Sequence, residues 1–461
     1  MRTLTIKEVT KATKGGSVNR FDMSITGVST DSRTTKEGDL FVPLTGPNFD
    51  GHDFIKQAFE KGAVATLCDS NKKMKVDGFP SKKIIFVDNT QSALLSLAAY
   101  YRELFEIPFI AITGSVGKTT TKEMIAEILK TRFNVMKTPG NLNNEIGLPL
   151  TIFQLDESYQ IGVVELGMSD FGEIRRLVNV AKPKVAVITN IGITHIEKLG
   201  SKQNIARAKM EILEPLGKSE LAVLSGDCPE LWDVKKTIIP KAVFFGQERG
   251  DIRAKNIKFN GVNKLEFDIC GCYGEMTFKV PLPGIHNVNN ALAAISIGFE
   301  MGLTKSEIQQ GLLNIELPEM RLQFKKSYFG ADIIDDAYNA SPDSMKAALD
   351  ILSQSGLGKK RAVIFGDMLE LGGLSERAHR DIGKYAADRV DVFIAVGSFA
   401  QSFKAGALQS HLDNRCIHTF PTVQEAAQEI KKIVEDCDII LVKGSRGMKM
   451  EQITRVLVGR L

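Results

Sequence analysis

The stretch TGSVGKTT at residues 113–120 constrains the fold more than any other part of the sequence. It follows the apolar run IPFIAIT, which is typical of a buried strand, and a helical pattern begins near Lys118. Two glycines, Gly114 and Gly117, let the backbone N–H groups converge on phosphate oxygens, while Lys118 supplies a cation and Thr119 a hydroxyl for Mg²⁺. This order of strand, loop and helix predicts nucleotide hydrolysis or transfer.

The spacing of the loop is a shortened variant, because the first glycine stands three residues before the second and not the usual five. The alternative is an ordinary glycine-rich turn between a strand and a helix, but such a turn does not account for the string GKTT. We therefore predict that this segment binds ATP through Gly114, Ser115, Val116, Gly117, Lys118, Thr119 and Thr120.

Length and composition indicate three domains in a protein that is neither secreted nor membrane-bound. The chain has 461 residues, and domains average roughly 150 residues. No apolar run approaches the length of a bilayer span, and the start MRTLTIKEVTK lacks the apolar core of a signal peptide. The net charge is only +4, with no Lys/Arg block, so nothing indicates nucleic-acid binding. We expect a cytoplasmic protein, by default a monomer.

The pattern of apolar segments predicts an α/β fold in which each domain has its own sheet. Residues 1–88 mix short strands with one helix and form a small N-terminal α/β module. Residues 89–317 alternate strands and helices, which predicts a central parallel sheet, and residues 242–283 add shorter segments that predict an antiparallel annex. A second series of strands and helices predicts a C-terminal Rossmann-like α/β domain at 318–461.

Two polar residues follow strands of the predicted central sheet. Glu165 follows the run IGVV, and His195 follows VAVITNIGIT. Ligands bind open α/β sheets at the carboxyl ends of the strands, so both residues are expected beside the phosphate loop, where a carboxylate and a neutral imidazole can hold Mg²⁺. The alternatives are a helix-capping acid for Glu165 and an ordinary loop histidine for His195.

Several longer strings resemble the Mur ligases, the ATP-dependent amide-forming family of peptidoglycan precursor synthesis. They are TGSVGKTTTKE at 113–123, TPGNLNNEIGLPLT at 138–151, ELGMS at 165–169, TNIGITHIEKLGS at 189–201, ARAKMEI at 206–212, PGIHNVNNALAA at 283–294, PEMRLQ at 318–323 and DDAYNASPDSM at 335–345. The last string resembles the branch that adds D-alanyl-D-alanine, and no Asn-Pro-Arg string of the branches that add diaminopimelate or lysine is present. The resemblance covers essentially the whole chain.

This resemblance implies roles for residues outside the phosphate loop. Asn287 and Asn290 would face adenine, and Arg321 and Asp336 would approach ATP from the third domain. A substrate-facing loop would contain Asn143 and Asn144, and the dipeptide side would contain Tyr338 and Asn339. The UDP group would meet Thr30, Asp31, Ser32 and Arg33. Read without the family, HNVNN is a self-capped helix start, and the loops at 30–33 and 143–144 are polar turns, the first with a local salt bridge.

Lys209, in ARAKMEI, also matches a position of the family. An ammonium beside Mg²⁺ would be repelled, whereas a desolvated neutral amine can add CO₂. The resulting carbamate would help Thr119, Glu165 and His195 to hold the metal. The alternative is a lysine on the helix surface.

The reaction that the resemblance implies joins D-alanyl-D-alanine to UDP-N-acetylmuramoyl-tripeptide, with ATP and Mg²⁺, through an acyl phosphate, and yields UDP-N-acetylmuramoyl-pentapeptide. Lys118, Glu165, His195 and Lys209 are the expected catalytic residues. Other possibilities are a sibling Mur ligase or a folylpolyglutamate synthetase, and a nucleotide-dependent switch that forms no amide bond.

Overall fold

The computed structural model describes residues 1–16, 23–259 and 264–459. Within them the chain forms an α/β fold with separate sheets in its N-terminal, central and C-terminal parts, which confirms the predicted fold class. No helix in this part of the chain is long and apolar enough to cross a membrane.

The N-terminal part contains a four-stranded parallel sheet in the order β3-β4-β7-β8, flanked by two short two-stranded ladders. Its strands are β1 (Leu4–Thr5), β2 (Ser24–Ile25), β3 (Gly27–Ser29), β4 (Asp39–Phe41), β5 (Thr45–Gly46), β6 (Phe49–Asp50), β7 (Ala65–Asp69) and β8 (Ile84–Val87). The helices are α1 (Ile6–Thr13), α2 (Ile55–Glu60) and α3 (Thr90–Glu103). Helix α1 begins at a capping box, in which Thr5 and Glu8 each bond the other's backbone N–H.

Helix α3 packs on both sides of the predicted boundary at residue 88. Its buried Leu94 and Leu97 share one hydrophobic cluster with Val9 of α1 and Leu177 of the central part. The boundaries at 88 and 317 stay predictions.

The central part is one nine-stranded sheet in the order β10-β11-β9-β12-β13-β14-β15-β16-β17. Its strands are β9 (Phe109–Thr113), β10 (Val135–Lys137), β11 (Ile161–Glu165), β12 (Val185–Ile188), β13 (Leu221–Ser225), β14 (Lys241–Gly246), β15 (Ile252–Phe259), β16 (Leu265–Gly271) and β17 (Met276–Val280). Neighbours from β10 to β15 are parallel, and β15, β16 and β17 are antiparallel. The predicted antiparallel annex is therefore a continuation of the same sheet.

Helices cover both faces of this sheet. They are α4 (Lys118–Leu129), α5 (Gly147–Ile152), α6 (Glu173–Ala181), α7 (Ile196–Leu199), α8 (Lys202–Met210), α9 (Pro229–Trp232), α10 (His286–Glu300) and α11 (Lys305–Leu313). One cluster joins the sheet to α4, α10 and α11, and another joins it to α3, α5, α6 and α8. Strand β9 is buried at every position, as expected for the centre of a parallel sheet.

The C-terminal part has a six-stranded sheet in the order β18-β19-β23-β20-β21-β22, parallel except for the edge strand β18. Its strands are β18 (Gln323–Lys326), β19 (Asp332–Asp336), β20 (Arg361–Gly366), β21 (Val392–Val396), β22 (Ile417–Phe420) and β23 (Ile439–Lys443). The helices α12 (Pro342–Ser355), α13 (Ser375–Ala387) and α14 (Ala400–Gln409) cover one face, and α15 (Val423–Val434) and α16 (Glu451–Val458) the other. Helix α12 begins at the N-cap Ser341, with Pro342 as its first residue.

Candidate active site

A cleft of about 460 Å³ lies where the carboxyl edge of the central sheet faces the C-terminal sheet. It brings together most of the residues that the sequence singled out. Those lining it are Ser115, Val116, Gly117, Lys118, Thr119, Thr120, Asn143, Asn144, Glu165, His195, Asn290, Arg321, Asp336, Tyr338 and Asn339. These residues come from segments more than 200 positions apart, so only the tertiary fold brings them together.

The phosphate loop connects β9 to α4, as the sequence predicted. Gly117 is the N-cap of α4 with a φ of 84°, a left-handed conformation that favours glycine. A Cβ at this position would lie 2.5 Å from Asn290 Oδ1, and a Cβ on Gly114 would collide with the Thr189 hydroxyl. Both glycines are therefore required by close approach of neighbouring side chains. The N-terminus of α4 points its first N–H groups into the cleft, which favours an anion there.

The loop is held from the neighbouring strand end by two residues that sequence reasoning missed. Asn190 Oδ1 accepts hydrogen bonds from the backbone N–H groups of Ser115 (3.1 Å) and Val116 (2.9 Å). The Thr189 hydroxyl donates to the Val116 carbonyl at 2.6 Å. In the sequence, the only signal was the pair's position directly after the apolar run of β12.

Glu165 ends β11 inside a small cluster of oxygen and amide groups. Its side chain is 2% exposed. Oε2 accepts from the Thr119 hydroxyl at 2.8 Å, and Oε1 accepts from Asn143 Nδ2 at 2.7 Å. A carboxylate and a hydroxyl at the end of the phosphate loop form the oxygen-rich donor set that Mg²⁺ prefers.

Two lysine ammonium groups lie on the same backbone carbonyl of the loop. Lys118 Nζ donates to the Gly114 carbonyl at 2.8 Å, and Lys209 Nζ donates to it at 3.1 Å from helix α8. Burial lowers the pKa of Lys118, and nearby Glu165 opposes that shift. Burial and the charge of Lys118 lower the pKa of Lys209 well below its ordinary value. Lys209 is thus a buried residue beneath the cleft and not a surface lysine.

His195 is the N-cap of the short helix α7 and has a left-handed backbone, with a φ of 61°. Its Nδ1 faces the Glu370 carboxylate of the C-terminal part, and this contact lowers the pKa of Glu370. Over residues 1–16, 23–259 and 264–459, no three His, Cys, Asp or Glu side chains are grouped as a metal site. The structure therefore places His195 at the contact between the two parts, on the cleft wall.

The helix start HNVNN contributes to the cleft unevenly. Asn290 lines it and accepts from the Thr121 hydroxyl at 3.2 Å. Asn287 lies below the cleft surface, where its Nδ2 donates to the Pro283 carbonyl at 2.7 Å and its Oδ1 accepts from Asn290. His286, which sequence reasoning did not select, lines the cleft, and burial lowers its pKa to about 4, so its imidazole is neutral at physiological pH.

The C-terminal wall of the cleft is organised around two cations. The Arg321 guanidinium stacks on the Tyr338 ring, 4.0 Å from its centroid. The buried Lys443 ammonium pairs with the Asp336 carboxylate and donates to the Asn339 carbonyl at 2.9 Å. Sequence reasoning missed Lys443, whose only signal was its place at the end of a strand.

Three family models match the chain along its length. They are the "Mur ligase family, catalytic domain" model over residues 24–102, the "Mur ligase middle domain" model over 112–298 and the "Mur ligase, glutamate ligase domain" model over 320–446. The chain is also 39% identical over 458 residues to the UDP-N-acetylmuramoyl-tripeptide–D-alanyl-D-alanine ligase of Bacillus subtilis, with 98% of each chain covered. The chain belongs to the Mur ligase family.

Solved structures of Mur ligases share this architecture. A crystal structure of MurF from Acinetobacter baumannii is 31% identical, with a TM-score of 0.90, and the match covers 100% of this chain and 99% of that one. MurF from Thermotoga maritima in complex with ADP is 28% identical, with a TM-score of 0.81 and coverage of 94% and 97%. Membership of the Mur ligase family makes this chain an ATP-dependent ligase that forms C–N bonds.

The four residues that the resemblance assigned to UDP recognition lie in the N-terminal part and do not line the cleft. Asp31 accepts from the backbone and side chain of Arg33, and this pairing lowers the pKa of Asp31 to about 2. The Ser32 hydroxyl donates to Gln57 Oε1 at 2.6 Å. Thr30, which follows β3, lies next to this turn.

Proposed function

We propose that this protein joins D-alanyl-D-alanine to UDP-N-acetylmuramoyl-tripeptide, as the names of its relatives say of those proteins. The observation that carries the proposal is the cleft itself, in a chain that matches such ligases from end to end. One wall is a phosphate loop and the other belongs to a third domain with Arg321, Asp336 and Tyr338. That arrangement suits a reaction in which ATP and a second, amine-bearing substrate meet.

The phosphates of ATP are proposed to lie on residues 114–120, at the N-terminus of α4. Lys118 would leave the Gly114 carbonyl and place its ammonium against the transferring phosphoryl group, where a cation stabilises the developing charge. Asn290 would contact the adenine side, with Asn287 holding it from below. Arg321 and Asp336 would approach the nucleotide from the C-terminal domain.

The residues around Glu165 fit Mg²⁺. Thr119 and Glu165 supply a hydroxyl and a carboxylate, and both are hard oxygen ligands. His195 and Lys209 complete the proposed set. When bound, Mg²⁺ neutralises charge on the phosphate oxygens.

We also propose that Lys209 is carbamylated. Its amine is buried, and its lowered pKa favours the neutral form, which is the form that adds CO₂. The modification would convert a cation that repels a metal into an anion that helps to hold it. Full activity of Lys209→Ala would rule the carbamate out, as would a loss of activity that bicarbonate or short carboxylates do not relieve.

The proposed chemistry has two steps. The terminal carboxylate of the tripeptide attacks the γ-phosphate, giving an acyl phosphate and ADP. The amine of D-alanyl-D-alanine then attacks the acyl carbon, a tetrahedral intermediate forms, and phosphate leaves as the amide bond is made. An acyl phosphate hydrolyses readily, so closure of the domains about a hinge near Pro318 would exclude water from it.

The remaining residues are proposed to bind the two larger substrates. The UDP group would lie on the N-terminal domain (1–88) at residues 30–33, and the tripeptide would pass Asn143 and Asn144 of the central domain (89–317). The dipeptide would lie against Tyr338 and Asn339 of the C-terminal domain (318–461).

Phosphate release from Mg·ATP tests this function. The purified chain receives UDP-N-acetylmuramoyl-tripeptide with D-alanyl-D-alanine, and parallel reactions replace the dipeptide with D-alanine, lysine, diaminopimelate or glutamate. Turnover confined to the dipeptide is the expected result. Turnover with a single amino acid would assign the chain to a sibling branch, and hydrolysis indifferent to every amine would favour a nucleotide-dependent switch.

A further inference from the structure

Lys122 is a fully buried lysine in the first turns of α4, four residues after the phosphate-loop lysine, and none of the roles above uses it. Its Nζ donates to the Thr138 carbonyl at 2.8 Å and pairs with Glu123 Oε1 at 2.9 Å. Burying an ammonium is costly unless such partners compensate it. The carbonyl that it bonds is therefore the place to look for its purpose.

Thr138 connects this buried ammonium to Glu165. It is 1% exposed and follows β10 directly. Its backbone N–H donates to the Val163 carbonyl at 3.1 Å, and its hydroxyl accepts the backbone N–H of Glu165 at 3.0 Å. One residue thus receives Lys122 on its carbonyl and fixes the backbone of Glu165 with its hydroxyl.

The same residue starts the loop that carries Asn143. That loop runs over residues 139–146 to the start of α5, and Asn143 within it donates to Glu165 Oε1 at 2.7 Å. The Asn143 carbonyl accepts from the Gly167 backbone N–H at 2.8 Å, just beyond Glu165. Both groups that orient the Glu165 carboxylate from this side depend on where Thr138 lies.

We propose that Lys122 is a positioning residue. It holds Thr138 so that Glu165 and Asn143 are oriented for the metal–nucleotide complex before that complex arrives. The inference rests on the proposed function only in the use of Glu165 toward Mg²⁺ and ATP. It assigns Lys122 no contact with either ligand.

The competing explanation is that Lys122 only balances charge in a buried ion network, and Lys137 provides a matched control for it. Lys137 Nζ bonds Glu123 Oε2 at 2.5 Å and Glu127 Oε1 at 3.1 Å. It belongs to the same network but leaves the Thr138 carbonyl to Lys122. Substituting either lysine with methionine removes one positive charge from the network, and only Lys122→Met removes the bond to Thr138.

The test measures binding of the fluorescent analogue N-methylanthraniloyl-ATP to the full chain while Mg²⁺ is titrated, with thermal unfolding and steady-state turnover in parallel. For Lys122→Met we expect the Mg²⁺ concentration at half-saturation to rise about tenfold, which is the scale of one lost hydrogen bond to a charged group. The kcat should fall by a similar factor. Binding of the same nucleotide in EDTA should stay within about twofold, and Lys137→Met should stay within about twofold in every measurement.

Equal defects in Lys122→Met and Lys137→Met would overturn the proposal, because the network's charge would then explain both. A change in thermal stability with no change in the Mg²⁺ dependence would also overturn it. If Lys122→Met does not fold, Thr138→Val removes the hydroxyl that accepts the Glu165 N–H, and the same rise in the Mg²⁺ requirement is expected. Wild-type protein that binds Mg·ATP but forms no amide would refute the proposed function, and the binding comparison would still decide the role of Lys122.

Discussion

Replacing Asn143 with alanine removes one of the two side-chain hydrogen bonds that orient the Glu165 carboxylate. The bond is 2.7 Å long and joins an amide to a carboxylate that is 2% exposed. A hydrogen bond to a charged group contributes about 1.5–3 kcal/mol. Since about 1.4 kcal/mol corresponds to a factor of ten, the loss corresponds to roughly a 10- to 150-fold effect. Asn143 lines the cleft, so water can replace part of the bond, and we expect the lower end of that range.

The assay is the kcat/KM for Mg·ATP at saturating concentrations of the other two substrates. We expect Asn143→Ala to lower it about tenfold. Asn141→Ala is the matched control, because Asn141 is an exposed residue of the same loop that does not contact Glu165, and it should stay within about twofold. Unchanged kcat/KM in Asn143→Ala, or equal losses in the two variants, would refute the reasoning that Glu165 is oriented from this loop.

Three further predictions concern the other charged groups. Lys209→Met should abolish turnover yet raise thermal stability at pH 7. The folded-state pKa of Lys209 is lowered, so the unfolded chain binds a proton that the folded chain does not, and wild-type stability rises with pH toward lysine's ordinary range, a slope that the variant should lack; a destabilised variant would contradict this. Arg321→Lys should raise the KM for ATP by roughly three- to tenfold, because lysine cannot reproduce the planar stacking on Tyr338; an unchanged KM would refute a role in nucleotide binding. Asp31→Asn should raise the KM for the UDP-linked substrate with little change in stability at pH 7, since exposed ion pairs stabilise weakly. Because pairing with Arg33 lowers the Asp31 pKa to about 2, its contribution to stability is present above pH 4 and is lost as the pH falls toward 2.

The sequence was informative where chemistry and secondary structure coincide locally. The phosphate loop could be placed between a strand and a helix because the apolar run, the glycines and Lys118 are contiguous, and the structure places them so. Glu165 could be placed at a sheet edge because it ends an apolar run. The carboxyl ends of parallel strands meet at one edge, which explains why these two segments face the same cleft.

The sequence was silent where a side chain acts through a distant backbone group. Lys209 bonds a carbonyl 95 positions away, and the Lys443 ammonium bonds residues more than 100 positions earlier. Asn190 and Lys122 likewise bond backbone groups of other segments, and no local pattern distinguishes them from ordinary polar residues. Such contacts depend on strand order and helix packing, which residue spacing does not determine.

The most direct test of the account follows oxygen from the tripeptide to the released phosphate. UDP-N-acetylmuramoyl-tripeptide labelled with ¹⁸O in its terminal carboxylate is incubated with the protein, Mg·ATP and D-alanyl-D-alanine, and the products are analysed by mass spectrometry. The account predicts phosphate carrying one ¹⁸O atom and a product heavier than the tripeptide by one dipeptide minus water. Unlabelled phosphate, formed without that product, would contradict the acyl-phosphate ligase and indicate simple hydrolysis of ATP.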